Sequence, residues 1–106
     1  MFDAVVTRNS TTATVTLRGE VDLASVARLE RAREEAFCSA VDVRIDLRGV
    51  EFIDSTGVKF LLETNSIAQR TSRKLRLLKP PDGVMRTLTL SGADRHLPFV
   101  DGTDAA

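Results

Sequence analysis

VDVRIDL, residues 41–47, alternates apolar and charged side chains, which is the period of a β-strand with one buried face and one solvated face. The same period recurs in TATVTLR, residues 12–18, and in the leucines on either side of Arg76. Residues 2–7 are predicted to form a first strand, joined to the second through the turn-prone sequence RNST. The pattern therefore predicts four strands.

Helical periodicity occupies the intervals between these strands. After the second strand, apolar side chains recur at the spacing of one helical face, at Val26, Leu29, Ala32 and Ala36. A second helix is predicted from about Thr56 to Arg70. A third is predicted from about Asp82 to Leu90, after two prolines and before Gly92.

The order strand, strand, helix, strand, helix, strand, helix is typical of parallel strands joined by right-handed crossovers. Because each strand has one polar face, the helices are expected on the other face only. The predicted fold class is α/β, a two-layer structure with a mixed, mostly parallel sheet and helices on one face. All 106 residues are expected to form a single domain, with a frayed tail at about residues 101–106.

Composition narrows the classes of function. Fifteen basic residues balance fifteen acidic residues, so no excess of positive charge points to a nucleic-acid partner. No segment approaches the roughly 20 apolar residues that span a bilayer, and the first residues do not resemble a secretory leader, so we expect a cytoplasmic protein without a membrane partner. The single cysteine, Cys38, is predicted to be a buried core residue rather than a reactive thiol.

Polar side chains follow two of the predicted strands, in the sequences GEVD and IDSTG. Because parallel strands end at the same edge of a sheet, these two loops are expected to be neighbours. Asp22 and Asp54 would then flank Ser55, with Glu20 and Glu51 close by. The sequence therefore predicts an acidic rim around one hydroxyl.

Ser55 stands just before the second helix, where a serine that caps the helix contributes about 1 kcal/mol. Asp22 is open to the same interpretation at the first helix. As a nucleophile, Ser55 would need a base, and the one histidine, His96, lies far along the chain. The sequence has no GxSxG elbow, since Ile53 occupies the position of the first glycine. An enzyme is therefore not predicted.

No metal or cofactor site is predicted either. The sequence contains no CxxC, no pair of histidines and no glycine-rich loop of the type that cradles phosphate.

The chain as a whole resembles the STAS domain, and specifically the bacterial anti-sigma factor antagonists. The resemblance rests on GEVD before an amphipathic helix, an alternating strand, FIDSTG opening a second helix, and VMRTLTLSGADRHLPFV at residues 84–100. It implies a partner that is both an anti-sigma factor and an ATP-dependent serine kinase. The unmodified antagonist binds that partner and releases the sigma factor. Phosphorylation of the antagonist ends the binding, and a metal-dependent phosphatase reverses the modification.

Carried onto this sequence, the resemblance implies that Ser55 accepts the phosphate. Asp54 and Thr56 would frame it, Gly57 would permit close approach of a partner backbone, and Asp22 would be a neighbouring acidic contact. The protein is expected to be a monomer that forms a hetero-complex. The alternative is a STAS scaffold or complex subunit in which Ser55 only caps the helix.

The second helix departs from the usual antagonist pattern in the residues that follow Val58. Lys59 lies one turn from Ser55, where its charge could either clash with a partner or pair with a phosphate. Phe60 is predicted to lie off the core side of the helix, facing either a partner or a loop. Both residues are therefore candidate partner contacts.

Overall fold

The computed structural model describes residues 1–101, so most of the predicted frayed tail lies outside the described residues. The strands are β1 Phe2–Asn9, β2 Thr12–Val21, β3 Asp42–Ile53, β4 Lys74–Leu78 and β5 Phe99–Val100. The helices are α1 Val26–Ser39, α2 Ser55–Arg70 and α3 Asp82–Leu90, with short 3₁₀ helices at Leu23–Ser25 and Ala93–His96. None of the helices within residues 1–101 is long and apolar enough to cross a membrane.

The five strands form one sheet in the order β1-β2-β3-β4-β5. The β1–β2 hairpin is antiparallel, and the remaining neighbours pair in parallel. The mixed, mostly parallel sheet predicted from the alternating segments is confirmed. β5 was not predicted, because two residues are too few to show a period.

One face of the sheet and the three helices enclose a single core. Val15, Ile45 and Leu77 lie opposite one another on adjacent strands and are almost completely buried. The helices contribute buried leucines to the same cluster, with Leu29 from α1 and Leu88 from α3. The predicted two-layer arrangement follows from this packing, since apolar side chains of both layers leave water together.

The opposite face of the sheet is polar. Thr14, Arg44 and Arg76 lie side by side across β2, β3 and β4, each partly exposed. Further along β3, the Arg48 guanidinium donates to both carboxylate oxygens of Asp46, at 3.0 and 2.9 Å. These hydrogen bonds hold the pKa of Asp46 below its usual range.

β3 continues beyond its predicted end at Leu47 as far as Ile53. Its pairing with β2 shifts register at two points, and at each point β3 contains one extra residue. The two shifts cancel in side-chain direction. Val21 and Ile53, paired at the carboxyl ends of the two strands, therefore both point into the core.

The prediction of a buried Cys38 is wrong, because its side chain is exposed. Its neighbours Ala36 and Phe37 take the inward positions at the end of α1 and are buried. The next position around the helix faces solvent, as the period of 3.6 residues per turn requires.

Candidate functional site

The two predicted loops meet where β2 and β3 end. Val21 pairs with Ile53 in the last register position of the two strands. The next residue, Asp54, donates its backbone N–H to the carbonyl oxygen of Val21 at 3.2 Å. The turn after β2 and the turn after β3 are thus joined directly by the backbone.

Asp22 forms the first of the two turns. Its carboxylate accepts a hydrogen bond from the backbone N–H of Ala24 at 3.0 Å and so caps the short 3₁₀ helix that leads into α1. The hydroxyl of Ser25, which is buried, accepts from the Asp22 N–H and donates to the Asp22 carbonyl, each at 2.9 Å. This reciprocal capping fixes the position of the Asp22 carboxylate.

Asp54 forms the second turn and is the N-cap of α2. Its backbone is extended, with φ −108°, and its carboxylate accepts from the N–H groups of Thr56 at 2.9 Å and Gly57 at 3.1 Å. The prediction that Ser55 occupies the cap position is wrong. The cap must precede the first helical residue to reach these two amides, and Ser55 is already that first helical residue.

The side chain of Ser55 is exposed to solvent. The neighbouring Thr56, by contrast, is partly buried. Within residues 1–101, the Ser55 hydroxyl takes part in no hydrogen bond. The serine therefore contributes no cap to the helix that it opens. The Ser55 hydroxyl oxygen lies at the carboxyl edge of the sheet, and no hydrogen bond within the described residues depends on it.

Gly57 is buried where α2 approaches the ends of β2 and β3. A β-carbon placed there would lie 2.6 Å from Cγ1 of Ile53 and 2.7 Å from Cγ1 of Val21. Both distances are far below van der Waals contact, so only glycine lets the helix begin this close to the strands. The structure shows a packing role for Gly57, since the nearest atoms are those of Ile53 and Val21. The predicted close approach of a partner backbone at Gly57 stays a prediction.

Carboxylates from both strand ends surround this edge. The Met1 ammonium forms an ion pair with Glu20. That contact raises the pKa of the ammonium group, and the nearby charges of Asp22 and Glu51 raise it further. Glu20, Asp22 and Glu51 therefore all act on one cation at this edge. That these carboxylates and Asp54 surround the Ser55 hydroxyl stays a prediction.

Lys59 and Phe60 follow on α2 and differ sharply in exposure. Lys59 is exposed, whereas Phe60 is only 5% exposed. The Arg33 guanidinium of α1 covers the Phe60 ring, 4.8 Å from its centroid, and also donates to the Thr64 hydroxyl at 3.1 Å. The prediction that Phe60 lies off the core side is wrong, since α1 buries this face of α2, and the ring is not presented to a partner.

Two exposed apolar side chains at the rim were not predicted as site residues. Leu23, next to Asp22, is 75% exposed, and Phe52, at the end of β3, is 50% exposed. Phe52 gave no clear signal in the sequence, because the register shifts between β2 and β3 interrupt the strand period before it. Leu23 gave no signal either, since it lies in a 3₁₀ turn without a regular period.

The structure separates the one histidine from Ser55. The carbonyl of His96 accepts a hydrogen bond from the Asn65 amide of α2 at 2.9 Å. Asn65 lies about ten residues further along the helix than Ser55, which is about 15 Å at the usual helical rise. In residues 1–101, no group of three or more His, Cys, Asp or Glu side chains is arranged to hold a metal ion.

Comparison with known proteins agrees with this architecture. The family model described as Mlab, STAS domain, matches residues 4–101. The chain belongs to the STAS domain family. No match was found among curated protein sequences.

Solved structures of anti-sigma factor antagonists share the fold. An anti-sigma factor antagonist from Mycobacterium paratuberculosis is 25% identical, with a TM-score of 0.82 over 93% of this chain and 85% of that one. The anti-sigma factor antagonist SpoIIAA in its unphosphorylated form is 19% identical, with a TM-score of 0.72 over 97% and 92% of the two chains. The phosphorylated form of SpoIIAA, a Bacillus cell fate determinant, is 18% identical, with a TM-score of 0.67 over 97% and 96%.

Proposed function

We propose that this STAS domain is an anti-sigma factor antagonist controlled by phosphorylation of Ser55. The unphosphorylated protein binds an anti-sigma factor that is also a serine kinase, and the sigma factor is released. Phosphorylation ends this binding, and a metal-dependent phosphatase restores it. The protein acts as a regulatory binding module in the cytoplasm, as a monomer that forms a hetero-complex, and not as an enzyme. The 25% identical antagonist from Mycobacterium paratuberculosis supports this proposal.

The observation that carries the proposal is that Asp54, and not Ser55, caps α2, which leaves the Ser55 hydroxyl exposed. Asp54 satisfies the first amides of α2, so the exposed hydroxyl of Ser55 can be modified without loss of the cap. The alternative is a scaffold or complex subunit in which Ser55 is not modified; the cap that it assigned to Ser55 belongs to Asp54.

The chemistry requires only an acceptor from this chain. The Ser55 oxygen attacks the γ-phosphorus of a nucleoside triphosphate held by the kinase. A new O–P bond forms as the bond to the β–γ bridging oxygen breaks. The nucleoside diphosphate leaves, and the hydroxyl proton passes to a base on the kinase. In the reverse direction, water attacks the phosphoserine, inorganic phosphate leaves and the hydroxyl is regained.

Phosphorylation would add charge to a turn whose surroundings include exposed apolar residues. Leu23 and Phe52 supply exposed apolar surface beside the carboxylates of Asp22 and Asp54. A partner that transfers a phosphate to Ser55 must hold its nucleotide phosphates against this same point. A phosphoserine adds nearly two negative charges there and meets like charge on the partner. A loss of about 3 to 4 kcal/mol would weaken binding by two to three powers of ten.

The test uses the purified chain, its candidate kinase and ATP. Intact-mass measurement should show one added phosphoryl group on the wild type and none on Ser55→Ala. Ser66→Ala is the matched control, because Ser66 is an exposed serine on the same helix. Calorimetry should show that phosphorylation weakens partner binding at least a hundredfold in the wild type and in Ser66→Ala, while Ser55→Ala stays bound.

Two outcomes would reject the proposal. One is that Ser55→Ala gains a phosphate as the wild type does. The other is that the phosphorylated wild type binds the partner as tightly as the unmodified chain, which would favour a constitutive complex subunit. Hydrolysis of activated esters that is lost in Ser55→Ala would instead assign the hydroxyl to an enzyme.

A further inference from the structure

The exposed face of α2 carries an ordered set of polar side chains. Ser55, Lys59 and Glu63 are spaced four residues apart and all three are exposed, so they lie on one face of the helix. Among residues 1–101, Lys59 forms no ion pair, even with Glu63 one turn away. In the described part of the unmodified chain, no carboxylate pairs with the Lys59 ammonium.

Helix geometry directs the Lys59 side chain toward Ser55. Side chains on an α-helix lean toward its N-terminus, so each covers the surface over the preceding turn. For Lys59, that preceding turn begins at Ser55. A negative group placed four residues before a lysine is also the more favourable orientation of such a pair.

Two of the backbone amides at this helix start, those of Thr56 and Gly57, are already occupied. The Asp54 carboxylate already accepts from the N–H groups of Thr56 and Gly57, and the Asp54 N–H donates to Val21. A phosphate on Ser55 would have to displace a fixed carboxylate to reach the amides of Thr56 and Gly57. Lys59 offers a positive charge that requires no displacement.

We propose that Lys59 is the counter-charge of phosphorylated Ser55 and holds the phosphate along α2 as a dianion. The inference rests on the proposed function, since it takes Ser55 as the modified residue. The Met1 ammonium is a second cation at this edge and is paired with Glu20. The nearby carboxylates oppose the effect. Asp22 beside the 3₁₀ turn, Glu51 on β3 and the Asp54 cap all repel the dianion, while Glu63 on α2 competes for Lys59.

The test is a phosphorus NMR titration of the full chain with phosphoserine installed at position 55 during translation. The second pKa of the phosphate should be about 0.2 to 0.4 pH unit lower in the wild type than in Lys59→Gln, as expected for a charge pair one helical turn apart. Lys59→Arg should keep the lowered value. The difference should shrink in about 1 M NaCl, where the Debye length is about 3 Å.

Lys74→Gln is the matched control, because Lys74 is an exposed lysine at the start of β4 and so at the opposite end of the parallel strands. Its phosphate pKa should equal that of the wild type. The inference is overturned if Lys59→Gln titrates as the wild type does, or if Lys74→Gln shifts the pKa equally.

The outcome is independent of the proposed function, because the phosphate is introduced without a kinase or a partner. An unchanged pKa in Lys59→Gln would reject the counter-charge and leave partner switching intact. The expected result is a phosphate pKa that is lower in the wild type than in Lys59→Gln. If that result is combined with undiminished partner binding, partner switching is rejected and the counter-charge stands. Unchanged urea midpoints of the exposed Lys59 variants would show that the chain remains folded.

Discussion

Replacement of Gly57 by alanine should destabilise the protein, although alanine is the better helix former. The new β-carbon would stand 2.6 Å from Ile53 and 2.7 Å from Val21, and the Val21 carbonyl oxygen lies 3.0 Å away. Both side chains are buried and hemmed in by the core, so neither can move aside cheaply. Overpacking of this kind costs about 1 to 3 kcal/mol.

The gain in helix propensity offsets only part of that cost. Glycine to alanine in a helix contributes at most about 1 kcal/mol, and less in the first turn. The expected net loss for Gly57→Ala is therefore about 1 to 2 kcal/mol of the free energy of unfolding, or a fall in Tm of about 5 to 10 °C.

The chain contains its own control in Gly83, which also lies in the first turn of a helix, α3. A β-carbon added at Gly83 would meet no atom within 4 Å. Gly83→Ala should therefore stabilise the protein by about 0.5 to 1 kcal/mol. Urea unfolding followed by circular dichroism measures both variants. If Gly57→Ala is as stable as the wild type, or shifts in the same direction as Gly83→Ala, the steric interpretation of Gly57 is refuted.

Three further predictions follow from the same contacts. Asp54→Ala should lower the free energy of unfolding by about 1 to 2 kcal/mol through loss of the cap, whereas Ser55→Ala should change it by less than about 0.5 kcal/mol; equal urea midpoints for the two variants would contradict the assignment of the cap. Phe60→Ala should lower the free energy of unfolding by about 3 to 5 kcal/mol, whereas Lys59→Ala should leave it almost unchanged. If urea unfolding shows only a small loss for Phe60→Ala, the burial of that ring is contradicted. Because Arg48 lowers the pKa of Asp46 in the folded protein, the pair adds stability at neutral pH that is lost as the pH falls through the lowered pKa. Urea midpoints of the wild type and Arg48→Gln should therefore differ at pH 7 and converge in strong acid, and a constant difference would exclude the charge pair as its source.

Much of the fold could be predicted because each strand has one solvent-exposed, polar face and one buried, apolar face. The alternation in residues 12–18 and 41–47 indicated both the central strands and the side on which the helices pack. The extension of β3 to Ile53 could not be predicted, since the two register shifts in its pairing with β2 interrupt the period. Such irregularities depend on both strands together and are not contained in either one alone.

The candidate site was predicted in outline, and its details were decided by tertiary contacts. The sequence DSTG offers consecutive residues that favour cap positions, so propensity alone could not choose between Asp54 and Ser55. Phe60 was misassigned because its cover, Arg33, comes from another helix. The meeting of the two turns could be predicted, since it requires only that two parallel strands end at one edge.

The two turns of the rim are each closed by their own side chain, Asp22 in one and Asp54 in the other, and a backbone hydrogen bond ties them together. Under the proposed function, a partner would meet loops that are already held in place, and association would cost little conformational entropy there. Turns held by these hydrogen bonds cannot easily rearrange around a new group at the edge. Under the proposed function, a phosphate on Ser55 would meet loops that are already tied in place, and the residence time of the partner would shorten.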